Sequence, residues 1–154
     1  PWWKAKAPPR DVRLLRATLL QSTHHFSEAM ADLDAITAAD PANAQAWLTS
    51  ATVQTVRGDY DGATASCARL SSLASQLASL ACLGNVTGVT GRLEASERLL
   101  EQTLARNSDA SADEKAWVLT LLAEMATLTR NLERLVAAGL VVPVQRLPSR
   151  LLAA

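Results

Sequence analysis

The chain has 154 residues, of which 15 are basic and 15 acidic, so its formal charge is zero. That balance removes the electrostatic grounds for expecting nucleic acid or an anionic membrane as partner. Hydrophobic residues make up 49 % of the chain but aromatics only 4 %, which puts the apolar weight on Ala and Leu, strong helix formers, and predicts an all-α fold.

Residues 1–9, with Pro1, Pro8 and Pro9 around Lys4-Ala5-Lys6, read as an irregular leader. The chain starts Pro1-Trp2-Trp3 without an initiating Met, as expected of a processed form or a fragment. From residue 10 onward the sequence resembles itself at a fixed period. Phe26 and Tyr60 are 34 apart, as are Ala29 and Ala63, and Ala17 and Ala51. A further copy follows at 33: Gly58 to Gly91, Tyr60 to Leu93, Ala63 to Ser96 and Ala51 to Gly84.

The copies run 10–43, 44–76 and 77–110, with a partial fourth over 114–140 anchored on the Trp47 and Trp117 pair 70 residues apart. Each copy carries helical periodicity on both sides of a short turn. In the second, Ala46–Val56 is one helix, Gly58-Asp59 the turn, and Tyr60 to about Leu73 the return helix. Pro41, in Asp40-Pro41-Ala42-Asn43, stops one hairpin and starts the next. The fourth copy is expected to turn near Leu128–Arg130. Residues 141–154, with Pro143 and Pro148, read as an irregular tail. The longest apolar run, Leu135–Val142, has 8 residues, against roughly 20 for a membrane span, so no membrane insertion is expected.

Ala46-Trp47-Leu48, Ala51, Gly58-Asp59-Tyr60, Ala63 and Asp40-Pro41 resemble the tetratricopeptide-repeat (TPR) signature. That signature places a bulky residue at position four, small residues at eight and twenty, an aromatic at seventeen and Pro at thirty-two. The resemblance implies a right-handed α-solenoid of antiparallel helical hairpins, with about three to four repeats. Ala51 and Ala63 then meet where the hairpin helices cross, and Trp47 and Tyr60 fill the space between hairpins. The pattern departs at Leu33 and Cys67, where the family usually has an aromatic. In the fourth copy Leu121 stands at the small position eight. No polar capping helix is visible at the C-terminal end.

In this family the first helix of each hairpin lines a concave groove through positions two, five, nine and twelve. Carried over, those positions are Asp11, Leu14, Thr18 and Gln21; Gln45, Leu48, Thr52 and Thr55; Ala78, Ala81, Asn85 and Gly88; and, loosely, Lys115, Val118, Leu122 and Met125. The lining is neutral. Members that clamp acidic chaperone tails use several cations here, and only Asn85 and Lys115 resemble that set. The resemblance therefore implies a scaffold that binds a peptide segment of a protein partner, without catalysis. The alternatives are homo-oligomerisation through the solenoid ends, or a regulatory part of a larger enzyme.

No constellation for chemistry emerges, and no cofactor or metal is expected. His24 and His25 fall at the first hairpin turn with no third ligand nearby. The glycines Gly84, Gly88 and Gly91 lack a phosphate-loop context and read as close-packing and turn positions. Asp32, Asp34 and Asp40 read as a solvated face. Cys67 and Cys82 are 15 apart, each about seven residues from the turn near Ala74-Ser75. That places them level on neighbouring helices, either bridged or as two buried thiols. A bridge implies an oxidising compartment. The Pro-Trp-Trp leader resembles exported bacterial members of the family, which implies periplasmic or exported placement, with the cytoplasm as the alternative.

Overall fold

The computed structural model describes residues 10–139, and within them the chain is all-helical, without a strand. The expected irregular leader and tail lie outside the described residues. The helices are α1 (Arg10–Ser22), α2 (Phe26–Ala39), α3 (Ala44–Val56), α4 (Tyr60–Arg69), α5 (Gln76–Val89), α6 (Leu93–Arg106) and α7 (Ala112–Ala137). A 3₁₀ turn, Leu70–Ser72, extends α4.

Side-chain caps fix where several of these helices start. Asn43, Asp59 and Ser75 accept the amide hydrogens of Ala46, Gly62 and Ala78. Ser111 and Glu114 form a reciprocal capping box at the start of α7. Each satisfies an amide that the helix itself leaves unpaired.

The three hairpin turns share one backbone geometry. His24, Gly58 and Gly91 hold the same place in successive copies, and all are left-handed, with φ of 63°, 78° and 86°. Their amides donate to Gln21, Thr55 and Gly88 respectively. The next amides, of His25, Asp59 and Arg92, donate to Leu20, Gln54 and Thr87. This is the paired bonding that closes a helix on a left-handed residue. A Cβ at Gly58 or Gly91 would meet no atom within 4 Å, so only the backbone resists a side chain there. Gly58→Ala and Gly91→Ala are each expected to cost about 1–2 kcal/mol, read as a lowered urea midpoint. Unchanged midpoints would show that the turns relax freely. His24 already bears that backbone cost.

Each helix packs on its chain neighbours, and α1 also meets α3, α3 meets α5, and α5 meets α7. The buried core repeats accordingly. With Arg10, Ala44 and Leu77 as position one, position eight is Ala17, Ala51 and Gly84, and position twenty is Ala29, Ala63 and Ser96, all buried. Position twenty-four is Leu33, Cys67 and Leu100, each 0 % exposed. In the first core cluster, Ala17, Ala29, Leu33 and Ile36 of copy one pack with Ala46 and Val53 of copy two. In the second, Ala51, Ala63, Cys67 and Leu70 pack with Cys82 and Val86 of copy three. Positions three, six and ten of one copy thus seal against its predecessor.

That rule corrects the fourth copy. α7 is one continuous helix of 26 residues, with no turn at Leu128–Arg130. Nothing in Thr127–Asn131 breaks a helix; Gly139, left-handed at φ 72°, follows its end. The buried residues of α7 are Val118, Leu121 and Met125, and Val118 and Leu121 sit with Leu77, Ala81 and Leu100. Their spacing is that of Ala46, Thr49 and Val53, so they occupy positions three, six and ten. The frame therefore starts at Ala116, two residues later than the tryptophan alignment places it. Position eight becomes Ala123, a small residue like its counterparts, and Trp117 is no longer the equivalent of Trp47.

Candidate functional site

The expected groove positions fall on α1, α3, α5 and α7, which lie side by side. Thr18 and Gln45 are exposed, and Gln21, Thr52, Thr55 and Asn85 are half-buried. Leu14 and Leu48 are also half-buried, but they pack against the first and second core clusters. They divide their surface between core and solvent.

Val118 is not a groove residue. It is 0 % exposed and belongs to the third core cluster. The cause is the two-residue frame error, which places a junction residue among the lining residues. Ala81, Gly88 and Met125 leave the lining too, since all are buried. A Cβ at Gly88 would collide with the Met125 thioether and press on the Ser96 hydroxyl, so α7 covers this part of α5. In the corrected frame α7 offers Trp117, Thr120, Glu124 and Thr127. Thr120, Glu124 and Thr127, with Ala123 and Leu128, line a shallow depression of about 520 Å³. Lys115 is engaged elsewhere, its Nζ donating to the Ser108 carbonyl at 2.5 Å.

The face has a consistent hydrogen-bonding character. Thr18, Thr52 and Thr55 donate their hydroxyl hydrogens to the carbonyls of Leu14, Leu48 and Ala51, at 3.1, 3.1 and 2.7 Å. Thr120 and Thr127 do the same to Ala116 and Ala123, at 2.9 and 2.8 Å. Each hydroxyl proton is spent on its own helix, which leaves oxygen lone pairs and a methyl group for anything outside.

A second cleft, of about 560 Å³, opens between the start of α6 and the end of α7, lined by Leu93, Arg98, Leu132 and Val136 among others. Sequence reasoning missed it because it depends on α7 running on past the expected turn.

Cys67 and Cys82 are bonded to each other, with Cα atoms 5.5 Å apart. Both are buried within the second cluster, so the bridge ties α4 to α5 at the junction of copies two and three.

Asp32 is not on a solvated face. It is buried, and Arg16 reaches it with two donors, Nε at 2.6 Å and Nη2 at 2.5 Å. Asp32 and its charge hold the Arg16 guanidinium above its usual pKa. Tyr60 is 39 % exposed and belongs to none of the three core clusters. Trp47 is half-buried, its indole N–H donating to the Pro41 carbonyl at 2.9 Å and the Arg69 guanidinium 5.2 Å from its ring centroid.

Glu114 links two helix starts. Its carboxylate accepts the Ser75 hydroxyl from the cap of α5 and the Ser111 hydroxyl and amide from the cap of α7. Those bonds, Ser75's first, lower its pKa. A lowered carboxylate pKa stabilises the fold above the unfolded value, about 4.3, and that share is lost as pH falls through the folded value. As pH falls below that unfolded value the parent is expected to lose stability more steeply than Glu114→Gln. Parallel urea-midpoint profiles for the two would sink this.

Among the described residues no helix is long and apolar enough to cross a membrane, and no three His, Cys, Asp or Glu side chains gather as a metal site. No protein-family model, curated protein or solved structure matches the chain.

Proposed function

We propose that the chain is a TPR-like α-solenoid that acts as a protein-binding scaffold. It holds an extended segment of a partner against the first helices and performs no chemistry of its own. The observation that carries the reading is the face of α1, α3, α5 and α7, where Gln21, Gln45 and Asn85 present side-chain amides with no hydrogen-bond partner among the described residues. Amides in this state suit a peptide backbone, which offers a donor and an acceptor at nearly every residue. The bridge at the centre of the stack supports placement in an oxidising, periplasmic or exported setting.

The test is affinity capture from the native host extract, with hydrogen-exchange footprinting of whatever is captured. Thr52→Lys/Asn85→Lys runs beside the parent, because both residues lie on the face and outside the core clusters. A partner that protects α3 and α5 and is lost with the folded variant is expected. Identical capture by both would remove the groove as binding site.

One observation favours self-association as a second reading. Val12, Leu15 and Leu19 occupy positions three, six and ten of α1, the junction positions buried in the later copies, yet they are 53 %, 62 % and 58 % exposed. Sedimentation showing a monomer at every concentration would discard this second reading.

A further inference from the structure

Resting on the scaffold reading, we infer that the segment held on this face carries lysine or arginine and contains no aspartate or glutamate. The inference comes from what the face can donate. All five of its threonine hydroxyls are committed to their own helices, so toward a ligand they act only as acceptors. Its charged positions are Asp11 on α1 and Glu124 on α7, both exposed and neither in an ion pair. No lysine or arginine occupies a lining position of the four helices. The side-chain amides Gln21, Gln45 and Asn85 are spread over α1, α3 and α5.

A carboxylate placed here gives up water and finds only the three amides and the Trp117 indole N–H, all neutral donors, in return, with like charge at both ends of the face. An ammonium or guanidinium carries several donors and meets hydroxyl oxygens along the way and a carboxylate at either end. The small α5 residue Ala78, beside the buried Ala81 and Gly88, leaves the centre low enough for a long side chain to lie flat. Charge complementarity therefore selects a basic segment, the opposite of the acidic tails that cation-lined grooves receive.

The experiment pans a phage library of random dodecapeptides on the folded full-length chain. Asp11→Lys/Glu124→Lys and Thr52→Lys/Asn85→Lys are panned in parallel, each first shown by circular dichroism to be folded. The parent is expected to enrich peptides of net positive charge depleted in Asp and Glu, with the bias lost or inverted by Asp11→Lys/Glu124→Lys. Neutral or acidic peptides from the parent, or a basic bias that survives that exchange, would overturn the inference while leaving the scaffold reading standing. Enrichment unaffected by Thr52→Lys/Asn85→Lys, or no enrichment at all, would overturn both.

Discussion

Leu33→Ala is expected to lower the unfolding free energy by about 2–5 kcal/mol, a fall in Tm on the order of 10 °C for a chain of this size. Leu33 is 0 % exposed and is grouped with residues of two copies: Ala17, Ala29 and Ile36 of its own and Ala46 and Val53 of the next. Shortening it opens a cavity at the junction as well as within the hairpin. The neighbours least able to close that cavity are the alanines, which have no side-chain length to extend. Thermal and urea unfolding measure the effect. A loss below about 1 kcal/mol would mean that the junction collapses around the gap.

Removing the bridge gives the second large effect. Cys67→Ala/Cys82→Ala is expected to cost about 3 kcal/mol, the chain-entropy value for a closed loop of about 15 residues. Two small cavities in the second core cluster add to it. Because Cys67 is 0 % and Cys82 4 % exposed, a thiol reagent reaches the sulfurs only after local opening. Mild reductant should therefore leave the native protein intact and act quickly once urea is added. Equal stability of the double variant and the parent, or rapid reduction under native conditions, would refute this account.

Much of the fold was legible because its determinants are local. The period fixes the hairpins, Gly58 and Gly91 fix two turns, and Asn43, Asp59 and Ser75 fix three helix starts through bonds spanning three residues. The fourth copy was not legible in the same way. Its frame depends on which face of α7 seals against α5 and α6, and a second tryptophan at nearly the right spacing outweighed the Val118, Leu121, Met125 pattern. The Val118 error follows from that shift alone. The burial of Asp32 is hidden for a different reason: its partner Arg16 is 16 residues away on another helix, and periodicity carries no information about such a pair. His24 hid a left-handed turn because glycine is the usual signal, although its alignment with Gly58 and Gly91 was available. Of the candidate site, residue identities could be read in advance. The direction of the threonine hydroxyls, which decides the chemistry of the face, could not.

The bridge also sets the order in which the molecule comes apart. Contacts run from each helix to near neighbours along the chain, and none of the substantial ones joins α1 or α2 to α6 or α7. Such a structure opens from its ends, each unit releasing when its one neighbour can no longer hold it. The Cys67–Cys82 link removes the central junction from that sequence, because copies two and three cannot part while it stands. Amide exchange should then rise outward from α4 and α5, giving one slow block flanked by two faster ones. A partner spread across α1 to α7 would draw the fast blocks toward the slow one, so binding would register as a change in cooperativity even where no helix moves.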